Sequence, residues 1–268
     1  MDLVLPLLHS LPADRVPACG ETTSRPAASA LRPYVVGYAG FRTVVDGHLR
    51  RRILPITVTT VIVDFAGPGS WITGPRSGHH VHELADWRYG VAIGLTPAGV
   101  SALLGVPLPE LVGATVSPST LLGRRAGELA DRLGSAPDWP ARFAVLDDLL
   151  ATWLVTGRAV DDAATRAWWQ LQRPGRTVGA VAGGLGIGRR GLELAFRRRI
   201  GMSPGTVARV ARFQRAAHRL GRPGAALALA TDHGYADQPH FSREVRALTG
   251  VTPGELFAFL QDLRRPAH

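Results

Sequence analysis

The chain has no lysine, a single cysteine and no hydrophobic run long enough to cross a membrane. With Cys19 alone, a disulfide within the chain and a zinc site built from several cysteines are both excluded. Residues 3–8 are apolar but too few to span a bilayer, and Asp2 stands where a signal peptide needs positive charge. These features predict a cytoplasmic protein without a membrane segment.

The absence of lysine means that all 31 basic residues are arginine. A GC-rich genome accounts for this choice, because the chain is also rich in alanine, glycine and proline. The guanidinium group offers a planar fork that suits phosphates and guanine edges. The number of arginines is therefore compatible with nucleic-acid binding but does not indicate it, and their distribution along the chain is more informative.

The net positive charge lies at one end of the chain. Residues 173–268 contain 16 arginines and 6 acidic residues, whereas residues 1–172 contain 15 of each. The whole formal charge of +10 therefore lies in the last 96 residues. A surplus that only kept the protein in solution would be spread over the chain, whereas a nucleic-acid-binding surface concentrates it. The length of 268 residues allows one large domain or two ordinary ones.

The N-terminal part is predicted to contain a β-rich domain that follows a poorly ordered leader, residues 1–30. Runs of β-branched residues between proline and glycine turns indicate strands at 34–45, 58–65 and 88–95. Several short strands separated by such turns are typical of a small barrel or a sandwich.

Helices are predicted to follow these strands. Apolar residues have helical spacing in four ranges, 97–104, 121–133, 141–155 and 161–172. The second range carries one apolar stripe, formed by Leu122, Ala126, Leu129 and Leu133. Two interpretations of such stripes stay open: the core of the same chain, or the contact between two copies of it. We expect residues 31–172 to form one sensor or dimerisation domain.

Two copies of one helical pattern close the chain, at residues 186–204 and 234–253. Shifted by 49 positions, Leu192 falls on Phe241, Phe196 on Val245, Gly201 on Gly250 and Pro204 on Pro253. Each copy follows a short helix rich in alanine or leucine and a glycine turn. A short helix, a turn and a second helix studded with arginine form a helix-turn-helix, whose second helix can enter the DNA major groove. Helices are predicted here at 178–185, 189–200, 204–220, 224–231, 237–249 and 253–263.

These residues also resemble a known family. The region from about 176 to 263 is similar to the DNA-binding domain of the AraC/XylS family of bacterial transcription regulators. The signature is GYADQPHFSR at 234–243 followed by TGVTP at 249–253, with GMSP at 201–204 in the first copy. The resemblance implies an α+β protein. An N-terminal small β-barrel or cupin-like domain with helices would precede an all-α, seven-helix double helix-turn-helix domain over 173–268.

The resemblance also assigns roles to individual side chains. It implies base contacts by Arg190, Glu193, Gln238, His240 and Arg243. Phosphate contacts are expected from Arg189, Arg197, Arg198, Arg199 and Arg246. The chain departs from the family at Gly188, where a serine or asparagine cap is usual, and at Leu194, where an arginine is usual. The first unit is therefore expected to contribute more to positioning than to base choice.

A metal-dependent, cupin-like enzyme domain fused to a DNA-binding module is the alternative. His80 and His82 are weak candidates for metal ligands, because alternate residues of a strand point the same way. No second cluster completes a ligand set, and the surrounding residues resemble a loop, so solvent-exposed histidines are the competing interpretation. A nucleophilic hydrolase lacks its glycine-flanked serine motif.

The sequence as a whole predicts a sequence-specific, DNA-binding transcription regulator without enzymatic activity and without a cofactor. Its main partner is double-stranded promoter DNA. A small-molecule effector and RNA polymerase are further expected partners, and the N-terminal domain is expected to sense the effector, to dimerise, or both. A monomer and a homodimer both stay open.

Overall fold

The computed structural model describes residues 8–13, 19–44, 50–65, 69–83, 87–154, 162–221 and 235–262. In these ranges the chain is an α+β protein, with strands in its first part and helices in its second. Nine strands are described: β1 Ser10–Pro12, β2 Cys19–Arg25, β3 Val35–Val44, β4 Arg51–Ile53, β5 Thr59–Asp64, β6 Trp71–Thr73, β7 His80–His82, β8 Tyr89–Leu95 and β9 Thr115–Val116.

The strands form two antiparallel sheets. The larger sheet has the order β2-β3-β8-β5-β6-β9, and the smaller has the order β1-β4-β7. The strands predicted at 34–45, 58–65 and 88–95 correspond to β3, β5 and β8, the central strands of the larger sheet. The expectation of a barrel is wrong for the described strands, because β2 and β9 end the larger sheet at opposite edges and do not pair with each other.

Two strands lie in the segment for which composition predicts poor order, residues 1–30. β2 pairs with β3 along its whole length, from Cys19 opposite Val44 to Arg25 opposite Tyr38. β1 pairs with β4. The expectation of a loose leader is therefore wrong for these residues. The order comes from backbone hydrogen bonds to distant strands, which composition does not record.

The two faces of the larger sheet pack against different layers. Ile62 and Ala92 on one face join Ile53 of β4 and Trp87 in a small buried cluster. On the other face, Val61 and its neighbours join the large core that contains the helices. β5 is buried at every position, which explains why five of its six residues, 59–63, are β-branched.

Ten α-helices are described: α1 Pro97–Gly99, which continues as one π-helical turn at Val100–Leu104, α2 Pro118–Leu122, α3 Arg125–Ser135, α4 Trp139–Trp153, α5 Ala163–Leu171, α6 Val178–Gly184, α7 Arg189–Arg199, α8 Pro204–Leu220, α9 Gln238–Thr249 and α10 Pro253–Asp262. Two short 3-10 helices lie at Ser29–Leu31 and Leu108–Leu111. In the described part of the chain, none is both long and apolar enough to cross a membrane. Five helices, α6 to α10, are described in the C-terminal region. The helix predicted at 224–231 lies outside the described residues, and the expected count of seven stays a prediction.

The apolar stripe predicted at 121–133 belongs to the core of this chain. Leu129 and Leu133 of α3 are 2% and 0% exposed, and α3 packs against α4 and β5. The single helix expected there is wrong in one respect. Gly123 has a φ of +56°, and the chain breaks at this residue into α2 and α3.

α5 connects the two parts of the molecule. Its Trp168 is fully buried, and the indole nitrogen donates a hydrogen bond of 3.3 Å to the carbonyl oxygen of Thr57. The same helix packs against α6, α7 and α8. α5 thus contacts the C-terminal helices although it precedes the boundary predicted near residue 173, and that boundary stays a prediction.

Candidate nucleic-acid interface

The first helix-turn-helix unit consists of α6 and α7. The hydroxyl of Thr177 accepts a hydrogen bond of 3.2 Å from the amide of Ala180 and so caps α6. The chain turns at Gly186, which has a φ of +67°. α7 then buries Leu192 and Phe196 completely, as the spacing predicts. Its opposite side is therefore free to face a partner.

That outer side of α7 carries most of the predicted contacts of the first unit. Arg189, Arg190, Arg197 and Arg198 are exposed, and Glu193 is half-buried. Leu194 lies on the same side with 46% of its surface exposed. The side chain at the N-terminal cap is missing because the residue is Gly188, and no side-chain hydrogen bond closes this end of the helix.

Arg199 has a different environment from the other predicted phosphate contacts. Its Nε lies 3.0 Å from a carboxylate oxygen of Asp162, at the start of α5. Asp162 also caps α5 by accepting a hydrogen bond of 2.8 Å from the amide of Thr165. Arg199 therefore ties the C-terminal end of α7 to the rest of the chain, and 60% of its side chain stays exposed.

The described part of the second unit is its outer helix, α9. The carboxylate of Asp237 accepts a hydrogen bond of 2.6 Å from the amide of His240 and caps the helix. Phe241 and Val245 are buried, as predicted. The predicted contact residues Gln238, Arg243 and Arg246 are exposed.

A buried carboxylate anchors α9 to α8, and sequence reasoning missed it. The side chain of Glu244 is 7% exposed and accepts hydrogen bonds from Arg212 at 2.8 and 3.0 Å and from Arg209 at 3.3 Å. Burial lowers the pKa of Arg212, but the bonds to Glu244 outweigh it and raise that pKa overall. The repeat could have revealed this network. Glu244 corresponds to Ala195 of α7, so a charged residue stands where the other copy has a small apolar one.

Tyr235 and His240 extend the same network. The guanidinium of Arg212 lies 4.9 Å from the centre of the Tyr235 ring, and burial together with Glu244 raises the pKa of this tyrosine. The ring of His240 packs edge-on to Tyr235 at 5.5 Å, and its Nδ1 accepts a hydrogen bond of 3.4 Å from Ala236. The ring of His240, a predicted base contact, is thus held in place by contacts within the protein.

The strand-rich part contacts α8 and the second helix-turn-helix unit directly. The side-chain amide of Gln214 in α8 donates to the carbonyl oxygens of Pro55, at 2.6 Å, and Leu8, at 3.2 Å. A cluster of apolar side chains also joins Leu11 and Leu54 to the helices of the second unit. The two recognition helices are therefore held by the same structure that contains the sheets.

The turns that end the recognition helices touch the strand-rich part as well. Gly201 ends α7 with a φ of +76°, and a Cβ added there would lie 2.8 Å from the Cα of Pro109. Gly250 ends α9 with a φ of +73°, and its Cβ would lie 2.6 Å from Nε2 of His79. The Nδ1 of the same histidine is 3.2 Å from the carbonyl oxygen of Leu248.

The histidine segment lies in a strand, so its interpretation as a loop is wrong. His80 and His82 are in β7, with ring centres 6.4 Å apart, and the His82 ring packs against Trp71 at 4.9 Å. Within the described ranges, no group of three or more His, Cys, Asp or Glu residues is arranged to hold a metal. Burial lowers the pKa of His82.

The comparison with protein families covers both recognition helices. Residues 181–258 match a family model described as a helix-turn-helix domain. No curated protein matches the chain.

An AraC-type regulator from Chromobacterium violaceum is 24% identical, covers 37% of this chain and 92% of its own, and has a TM-score of 0.35. A dual regulator from Escherichia coli K-12 is 19% identical over 39% of this chain and 97% of its own, with a TM-score of 0.34. An apo ToxT variant from Vibrio cholerae is 12% identical over 94% and 96%, with a TM-score of 0.49.

The buried apolar sides of α7 and α9 and the matched residues identify a helix-turn-helix domain. The helix-turn-helix domain that the sequence predicts therefore lies within residues 181–258.

Proposed function

We propose that the chain recognises promoter DNA by inserting α7 and α9 into the major groove, and that its role is binding and not catalysis. One observation carries this proposal. Both helices bury their apolar sides in the protein while their outer sides present guanidinium and amide groups to solvent. These are the donors that reach guanine, adenine and phosphate oxygens.

The proposed roles divide the outer side chains into two groups. Base edges are read by Arg190, Glu193, Gln238, His240 and Arg243. The phosphates are bound by Arg189, Arg197, Arg198 and Arg246. Arg199 binds a phosphate only if it breaks its ion pair with Asp162 or contacts both groups at once. Exposure of the arginines supports this division, since a long cationic side chain in solvent can reach the backbone of a duplex.

The N-terminal region is proposed to control DNA binding. Its contacts with α8 and with the ends of α7 and α9 support this role, because a change there would alter how the two helices are presented. A small-molecule effector would act by favouring one arrangement over another. Dimerisation, a contact with RNA polymerase, a cupin-like ancestry of the strand-rich part and action in the cytoplasm stay proposals of the same kind.

The first test compares two arginines of α9. Genomic fragments bound by the full-length protein would supply a cognate duplex. On that duplex, Arg243→Ala is expected to cost about 1–3 kcal/mol and to relax selection at one base pair. Arg246→Ala is expected to weaken binding to all sequences and to reduce the slope of log K against log salt by about one. Gel-shift titrations on matched and mismatched duplexes measure both.

Arg132→Ala is the matched control, because this exposed arginine lies on α3, away from the proposed interface. It should leave affinity and slope unchanged. Equal losses on every sequence for Arg243→Ala would show that this residue contacts the backbone. Failure of the intact protein to bind any duplex at low ionic strength would refute the proposal.

A further inference from the structure

Leu194 is exposed where an apolar side chain has no structural reason to be. It has 46% of its surface in solvent, whereas Leu192 and Phe196 on the other side of α7 are fully buried. Leu194 is therefore not required by the core. Covering this leucine with an apolar group would remove its exposed apolar surface from water and would therefore be favourable.

The surroundings of Leu194 are cationic. Arg190 lies one turn before it and Arg198 one turn after it on the same helix, and both are exposed. Arg197 is exposed on the same turn as Arg198. An apolar protein surface would not suit a leucine ringed by these charges, because it would have to bury them without partners. A polyanion that offers one apolar group matches both features.

The repeat places Leu194 at a reading position. Shifted by 49 residues, it corresponds to Arg243 of α9, which is exposed and is proposed above to contact a base. The two copies thus present opposite chemistry at one place in the helix-turn-helix. In the major groove, the only apolar group of a base edge is the C5-methyl of thymine.

We infer that Leu194 packs on the C5-methyl of a thymine and makes the first unit select thymine at one position of its half-site. The inference rests on the proposed entry of α7 into the major groove. It increases the share of base choice expected of this unit, which the sequence predicts to contribute more to positioning. Leu194 reads this base by shape and apolar contact, beside the bases proposed for Arg190 and Glu193, while Arg197 and Arg198 hold the backbone.

The test removes that methyl group and nothing else. Each thymine of the cognate duplex is replaced in turn by deoxyuridine, and affinity is measured by gel shift with the full-length protein. One thymine in the half-site of the first unit should lose affinity about three- to tenfold, as expected for one buried methyl group. Leu194→Ala should lower affinity for the thymine duplex and leave thymine and deoxyuridine equal at that position.

Two further variants sharpen the result. Val44→Ala truncates the other large apolar residue that is strongly exposed in the described ranges, 53% in β3, and should preserve the thymine preference. Leu194→Arg should move the preference at this position towards guanine. Circular dichroism verifies that each variant is folded.

The inference is overturned if no deoxyuridine substitution weakens binding, or if the preference persists in Leu194→Ala. In both cases the intact protein still binds the cognate duplex, so the proposed function stands. Loss of duplex binding by the unmodified protein would instead remove the proposed function itself.

Discussion

The two recognition helices, α7 and α9, share a repeat but are held by different forces. Both end in a glycine with positive φ, Gly201 and Gly250, and both are followed by a helix that begins with proline. α7 packs into the large core that continues into the sheets. α9 packs into a separate apolar cluster and is fixed by Glu244, which α7 replaces with Ala195.

Their outer sides differ as well. α7 carries five arginines and the exposed Leu194, whereas α9 carries Arg243 and Arg246 together with Gln238. The apolar and glycine positions that shape the motif are thus retained in both copies, while anchoring and recognition chemistry have diverged. Sequence repetition here therefore predicts the fold of the two units but not the chemistry of their outer sides.

Truncation of the buried phenylalanines is expected to lower the free energy of unfolding most. Phe196→Ala and Phe241→Ala should each cost about 3–5 kcal/mol, since both rings are essentially unexposed. All six tryptophans lie between residues 71 and 169. Phe196→Ala should therefore shift the urea transition seen by tryptophan fluorescence as much as that seen by circular dichroism, whereas Phe241→Ala should shift the dichroism signal more.

The contrast between the two probes serves as the internal control for this pair. Equal shifts of both signals in both variants would mean that the two clusters unfold as one unit, and the different anchoring of the two helices would have no consequence for stability.

Removal of the buried carboxylate of α9 is expected to have the second largest effect on stability. Glu244→Ala should destabilise the protein by about 1.5–3 kcal/mol, because Arg212 and Arg209 lose their hydrogen-bonded partner. Thermal unfolding measures this loss. Glu193→Ala, on the outer side of α7, is the matched control and should change stability by less than about 0.5 kcal/mol. A loss of similar size in both variants would argue against a special role for the buried carboxylate.

The helices of both units were predictable because their determinants are local. Apolar spacing and the cap at Thr177 predict α6, and apolar spacing with Ser203-Pro204 predicts α8. For α8 the predicted range of 204–220 agrees with the observed Pro204–Leu220. The resemblance added which outer residues matter. Exposure of Arg190 and Arg243 agrees with it, while their contacts with DNA stay a prediction.

Elements that depend on distant partners were not predictable. β1, β4 and β7 have three residues each, too few for a pattern, and they exist because they pair with one another across the chain. The Glu244 network and the bonds of Gln214 to Pro55 and Leu8 arise in the same way. Each requires knowledge of which segments meet, and that information is absent from local spacing.

Acid should weaken the support of the second unit. Burial, with the charges of Arg76 and Arg51, lowers the pKa of His9 from 6.5 to about 3. Above pH 6.5 the ring is neutral in both states. Below it the unfolded chain binds a proton that the folded chain cannot, so stability should fall by about 1 kcal/mol per pH unit between 6.5 and 3.

His9 is relevant to the comparison because the neighbouring Leu8 and Leu11 contact α8 and the cluster of the second unit. Urea titrations at several pH values measure the slope. His9→Gln retains a donor for Thr73, which lies 2.7 Å from the ring nitrogen, but does not titrate in this range. If the slope is unchanged in His9→Gln, other groups cause it.

Substitutions at the helix caps are expected to change stability least. They remove the cap of α9 and add one to α7, which exchanges this feature between the two copies. Asp237→Ala should cost about 1 kcal/mol, because the amide of His240 loses its acceptor at the start of α9. Gly188→Ser should add the missing acceptor to α7 and stabilise the protein by a few tenths of a kcal/mol. Thermal unfolding of both variants and of the double variant measures these changes, which should add because the two helix starts share no partner in the described contacts. A Gly188→Ser protein less stable than the unmodified chain would show that the absent cap is required by the turn itself, and α7 would then differ from α9 in backbone geometry as well as in anchoring.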